Sequence, residues 1–282
     1  MTMILACIDG SVYSGSVAEH AAWAAKRLNA QVELLQVLGR RAPSADDRSG
    51  RIVAGGRRRL LEELAKLDAE RAKVMHEKGW MELDEARAQL EALGVTGISS
   101  SLRHGDILET LEEREGDTDL VVLGKRGEAA DFAKLHLGSN LERILRASKR
   151  PVLVAARAFK PINKVMIAFD GRPGAQKTVD GVSRSPLFQG LSCTLVTVGR
   201  DDAEMTQKVE AAAAQLKAGG IEATTRMEPG EANTVIPGLV ESEGFDILVM
   251  GAYGHSRLRT LVIGSTTSEM IRACLIPILV WR

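Results

Sequence analysis

Cysteine is scarce in this chain, neither sign of charge is in excess, and long apolar runs are missing. The three cysteines, Cys7, Cys193 and Cys274, stand far apart among apolar neighbours. That placement excludes a CxxC metal site and a disulfide framework, and reads as three buried small hydrophobes. Lys and Arg total 37 and Asp and Glu total 37, so the formal net charge is zero and a broad nucleic-acid footprint is excluded. No run approaches the roughly 20 apolar residues that a bilayer span needs. Residues 1–4 lead straight into an apolar strand without the basic region and cleavage site of a leader, so the expectation is a cytoplasmic protein with no membrane partner. Two phosphate-binding signatures are also missing, the Gly-Lys-Ser/Thr ending and a GxGxxG opening the first helix. The five histidines, His20, His76, His104, His136 and His255, show no nucleophile or metal-ligand spacing, and no catalytic residue is assigned.

What is present is a balanced globular composition, 45% hydrophobic and 26% charged over 282 residues, a length that allows one large or two ordinary domains. Internal repetition decides for two. Residues 3–8 read as a buried strand ending at Asp9-Gly10-Ser11, followed by a helix carrying Val17, Ala18, Ala21, Ala22, Ala25 and Leu28 on one side and a second strand over 31–38. Residues 39–56 read as an exposed loop, and 57–93 as a long charged helix that Gly79 is expected to divide or kink. A strand over 95–102, a helix over 107–115 capped by Asp106, a strand over 119–124, a helix over 140–148 and a strand over 151–155 complete the first copy. After a short proline-bearing linker the order restarts with a strand ending at Asp170-Gly171. Strands over 192–198, 222–227 and 246–251 follow, alternating with helices over 174–187, 201–219 and 233–243. The first copy is the longer one because of residues 39–93. Strict β-α alternation argues parallel sheets covered by helices on both faces.

The organising stretch is Gly251-x2-Gly254-x9-Gly264-Ser265-Thr266, between a buried strand and a helical pattern, with a closing strand over 277–281. Glycines at a strand's carboxyl end let a ligand approach the backbone, and the helix start attracts anions, phosphate above all. The first copy has Gly124-x2-Gly127 and then a ten-residue spacer to Gly138-Ser139-Asn140. It also carries Lys125 and Arg126, which read either as counter-charges for phosphate or as solvated loop charges.

These motifs, together with Asp9-Gly10-Ser11 at the end of the first strand, resemble those of the universal stress protein family, in its tandem form, over essentially the whole chain. The resemblance implies two tandem open-twisted five-stranded parallel sheets with helices on both faces, a Rossmann-like α/β fold, as domains 1–157 (with the helical insertion at about 39–93) and 158–282. It implies a stress-response protein that binds an adenine nucleotide, ATP or ADP or AMP with or without Mg, at the carboxyl edge of the sheet. Asp170 would face the adenosine end, the backbone of Val198 the base, and Gly251, Gly254, Gly264, Ser265 and Thr266 the phosphates. Asp9, Gly124, Gly127, Gly138 and Ser139 match in the first copy. In the second copy Gly171-Arg172-Pro173 departs from the family's usual Gly-Ser after the aspartate, and His255 falls inside the phosphate loop. Without a Walker lysine, hydrolysis would at most be slow. The alternative reading is a partner-binding module that no longer holds nucleotide. Two assembly expectations follow: an intramolecular pseudo-dimer through residues 151–155 and 277–281, whose strands would otherwise be exposed edges, and a homodimer to which the long helix contributes.

Overall fold

The computed structural model describes residues 2–39, 54–126, 138–199, 201–252 and 265–282. In the first half the order is β1 (Met3–Cys7), α1 (Ser14–Leu28), β2 (Gln31–Gly39), α2 (Ala54–Ala92), β3 (Ile98–Gly105), α3 (Ile107–Arg114), β4 (Leu120–Gly124), α4 (Ser139–Ala147) and β5 (Val152–Ala155). The second half repeats it with β6 (Lys164–Ala168), α5 (Pro173–Arg184), β7 (Ser192–Val198), α6 (Ala203–Ala218), β8 (Ala223–Glu228), α7 (Ala232–Glu243), β9 (Ile247–Gly251), α8 (Ser265–Ala273) and β10 (Ile278–Trp281), and a 3-10 turn at Pro186–Phe188 precedes β7.

All ten strands lie in one sheet, ordered β3-β2-β1-β4-β5-β10-β9-β6-β7-β8. Within each half the pairs are parallel. At the centre β5 and β10 pair antiparallel, Leu153 opposite Leu279 and Val154 opposite Ile278. Two strands that would each end a five-stranded sheet thereby satisfy one another's backbone groups. Period-two alternation distributes the apolar residues. Ile4 and Ala6 face a core shared with α1, α2, α5 and α6, while Leu5 and Cys7 face one shared with α3, α4, α7 and α8. Both cores run through both halves. Arg27 of α1 joins them from outside the sheet, its Nε donating to Leu187 O at 2.5 Å.

The long helix differs from the sequence expectation. α2 runs unbroken over Ala54–Ala92, about 58 Å at 1.5 Å per residue, with no division at Gly79. This glycine serves close packing: a Cβ there would stand 2.9 Å from Leu102 and 3.3 Å from Gln36 Oε1, so its absence lets the helix lie on β2 and β3. β3 also starts later than read, at Ile98, because Val95 still belongs to the helix end. The Val95 N–H donates to Leu90 O at 3.0 Å across the left-handed Gly94. Ile221 N–H to Leu216 O, at 2.9 Å across Gly220, is the same turn in the second half. This registers α2 on α6, the buried Leu90, Ala86 and Leu83 matching Leu216, Ala212 and Val209. Gly79 then falls opposite Met205, and the part of α2 before about Glu77 has no counterpart in α6.

Candidate functional site

The carboxyl edge of the second half holds a cavity of about 480 Å³. The chain just beyond β6 supplies Asp170, whose Oδ1 accepts the Arg172 N–H at 3.0 Å, while Gly171 turns the backbone at φ +70°. The second carboxylate oxygen meets Arg172 Nη1 at 3.5 Å. β7 contributes Val196, Val198 and the following Gly199, and β9 contributes Met250 and Gly251. A Cβ on Gly251 would come within 2.9 Å of the Gly174 backbone, so strand and helix meet there because Gly251 has no side chain.

Three helices begin at this cavity. Gly174 and Ala175 in the first turn of α5, Ala232 at the start of α7 and Thr267 in the first turn of α8 all line it. Free N–H groups and the positive end of each helix dipole therefore converge on one volume, which favours an anionic occupant. The rest of the lining includes Ile236, Met205 and Met250, an apolar floor suited to a flat ring. The site can thus hold an elongated ligand with an apolar portion and an anionic portion.

Of the residues anticipated from the sequence, the structure brings Asp170, Val198 and Gly251 together on this lining. Ser265 and Thr266 open α8 beside Thr267. Gly254, Gly264 and His255 lie outside the described residues, as does Gly127 of the first half. Met205, Glu231 and Thr267 line the cavity and were not singled out. Pro229-Gly230-Glu231, just after the strand expected over 222–227, is the signal in the sequence that points to Glu231.

The first half repeats the turn with different neighbours around it. Asp9 Oδ1 accepts the Ser11 N–H at 3.0 Å, and Gly10 has the same φ of +70°. The position of a Cβ on Gly10 is taken by the carboxylate of Glu82, from α2, and that on Gly124 falls 2.6 Å from Tyr13 Cβ. Counted from the aspartate of each turn, Tyr13 holds the place that Gly174 holds in the second half. Gly138 precedes α4, which starts at Ser139, and its N–H donates to Lys125 O at 3.3 Å.

Lys125 is the clearest correction. It is neither a solvated loop charge nor a group facing the edge: it is buried, and its Nζ donates to Cys274 O and, at 3.1 Å, to Ile276 O. It thus caps the carboxyl end of α8 from the other half of the chain. Burial pushes its pKa down to about 8. Burial likewise raises Cys7 to about 12 and Cys193 and Cys274 to about 11, so all three are protonated thiols at neutral pH. Among the described residues no group of three His, Cys, Asp or Glu side chains is placed to hold a metal ion. No helix among them is long and apolar enough to cross a membrane.

Comparison with known proteins agrees with this architecture. The profile of the universal stress protein family matches residues 1–156 and 192–282. A universal stress protein of Synechocystis sp. is 37% identical over 287 residues, the alignment covering 100% of both chains. The crystal structure of a universal stress protein from Archaeoglobus fulgidus superposes with a TM-score of 0.70 at 21% identity, covering 99% of this chain and 98% of that one. A functionally unknown protein from Pseudomonas aeruginosa PAO1 superposes with a TM-score of 0.62 at 18% identity, covering 100% and 92%. With two matched segments and a full-length relative, this chain belongs to the universal stress protein family.

Proposed function

We infer that the protein binds one adenine nucleotide, ATP or the related ADP or AMP, at the carboxyl edge of its second half, and that its role in the stress response is regulatory rather than catalytic. The observation that carries this is the convergence of three helix N-termini on a cavity of about 480 Å³, within the roughly 300–1,000 Å³ typical of small-molecule sites. Asp170 and the backbone at Val198 and Gly199 line one part of the cavity, suited to ribose and base. Gly251 and the start of α8, with Gly254, Gly264, Ser265 and Thr266 in the same motif, are the phosphate side. With no metal-holding group among the described residues, a magnesium ion would enter on the nucleotide's phosphates. Glu82 over Gly10 and Tyr13 against Gly124 favour the second half over the first.

On this reading residues 1–157 and 158–282 are two universal stress protein domains, joined through β5 and β10 as an intramolecular pseudo-dimer, in the cytoplasm. The test is to denature the purified chain, chromatograph the supernatant for adenine nucleotide, and titrate the stripped chain with ATP by calorimetry. Co-purified nucleotide or saturable binding is the expected result. Neither nucleotide nor binding heat would contradict it.

A further inference from the structure

The turn beyond β6 differs in charge from its counterpart in the first half. There the residue after Asp9-Gly10 is Ser11, whose Oγ accepts the Tyr13 N–H at 3.2 Å, and the side chain over the glycine is the carboxylate of Glu82. In the second half the residue after Asp170-Gly171 is Arg172, and the side chains over the glycine are Met205 and the stem of Lys208, whose Nζ pairs with Glu204 at 2.6 Å. Where the first turn has a hydroxyl and an acid, the second has an arginine and a lysine.

Arg172 breaks a local rule. It is the N-cap of α5, ahead of Pro173, a position that favours Ser, Thr, Asp and Asn because their oxygens accept helix N–H groups. Arginine has no acceptor, and its charge adds to the positive end of the helix dipole instead of offsetting it. Arg172 and Asp170 both stand on the cavity lining, with Arg172 Nη1 3.5 Å from Asp170 Oδ2. The two side chains are 44% and 46% exposed, and an ion pair this open is weak and readily exchanged for a better anion.

Strand order shows which anion fits. The sheet runs β9-β6-β7-β8, with about 4.8 Å between neighbours. On the nucleotide reading β9 leads to the phosphate side and β7 to the base, so the turn after β6 lies between them, where the sugar is. Asp170 there meets the ribose hydroxyls, and an arginine beside the acid suits a phosphate carried on one of them. Dinucleotide sites show the same choice, an acid for a free 2′-hydroxyl and a nearby arginine for a 2′-phosphate. The planar guanidinium fork matches two phosphate oxygens at once.

We propose that the second-half cavity prefers an adenosine 5′-nucleotide that carries a further phosphate on its ribose, at the 2′- or 3′-hydroxyl, and that Arg172 is the residue that selects it. The proposal rests on the nucleotide reading of this cavity and narrows it: Arg172 takes the ribose phosphate and the start of α8 the 5′-phosphate. ATP, ADP and AMP occupy the same cavity without using Arg172.

The test is calorimetric titration of the stripped full-length chain with AMP, adenosine 2′,5′-bisphosphate and adenosine 3′,5′-bisphosphate, for the wild type, Arg172→Ser and Arg172→Lys. One of the two bisphosphates is expected to bind the wild type about tenfold or more tighter than AMP, the worth of one hydrogen-bonded charge pair, and which one it is identifies the hydroxyl. Arg172→Ser should remove that gain and leave AMP within about twofold, while Arg172→Lys, which keeps the charge and loses the fork, retains part of it. The side chain is exposed, so circular dichroism and Tm should stay unchanged. Equal affinity of the wild type for all three ligands overturns the proposal, as does a gain that survives in Arg172→Ser. A loss of AMP binding in Arg172→Ser as large as the loss of bisphosphate binding places the guanidinium on the 5′-phosphate and also overturns it. If neither AMP nor ATP binds the wild type, the nucleotide reading itself fails and the proposal falls with it.

Discussion

The carboxylate of Glu82 fills the space above Gly10 where, in the second half, the Met205 thioether stands 3.0 Å and Lys208 Cδ 3.2 Å from the Cβ position of Gly171. Gln36 Nε2 holds Glu82 in place at 2.6 Å, and Lys78 lies 3.3 Å away. Two turns of the same geometry thus face different surroundings, an acid at one and a thioether with a lysine stem at the other. Asp170→Ala is expected to weaken ATP binding about tenfold or more, the worth of one hydrogen bond to a charged group, while Asp9→Ala leaves it unchanged. Calorimetric titration of both variants measures this, and equal losses would argue for two working sites.

His20 makes acid stability a readout of packing between the halves. It is fully buried, its Nδ1 lies 2.7 Å from Ser16 O, its Nε2 has no hydrogen-bond partner among the described residues, and its ring meets Phe159 edge-on at 5.0 Å. Burial lowers its pKa from 6.5 to about 4, so between those values the unfolded chain binds a proton that the folded chain refuses. Stability is therefore complete above pH 6.5 and falls as pH drops towards 4. The loss from this group between pH 7 and pH 5 is about 2 kcal/mol. Urea unfolding should show it in the wild type and show it removed in His20→Gln.

Lys125 tests the join itself. Lys125→Met leaves the carbonyls of Cys274 and Ile276 without their donor, a cost of about 1–2 kcal/mol after the relief of a buried charge. Because burial brings its pKa from 10.5 to about 8, the unfolded chain holds this proton more tightly between those values. The lysine's contribution to stability therefore rises with pH across that window, and the difference between wild type and variant should widen accordingly in paired denaturant titrations.

Gly181 sets helix propensity against packing. In the interior of α5, alanine would gain about 1 kcal/mol in an isolated helix. A Cβ there runs into the Trp281 indole ring, and overpacking costs about 1–3 kcal/mol. Gly181→Ala is expected to lower stability by up to about 2 kcal/mol net, read as a lowered Tm. A raised Tm would show that Trp281 moves aside freely.

Much of this was legible along the chain because the signals are local. Apolar runs ending in Asp-Gly placed β1 and β6, and the matching runs before Gly124 and Gly251 placed β4 and β9. The glycine spacing directed attention to the edge where the cavity opens. What was not legible depends on distant partners. Gly79 looks like a breaker until Leu102 and Gln36 are seen against it. Lys125 looks like a loop charge because its acceptors lie 149 and 151 residues away. The carboxylate that stands over Gly10 comes from Glu82, far along the chain, and no motif at Asp9-Gly10-Ser11 announces it. Val95 was read into a strand because its apolar side chain suits either element, while the left-handed turn at Gly94 decides.

The central claim is that the two halves share a fold but only the second accepts a nucleotide, and its most direct measure is stoichiometry. Calorimetric titration of the stripped full-length chain with ATP should reach saturation at one nucleotide per chain. Two per chain, or none, would contradict the account.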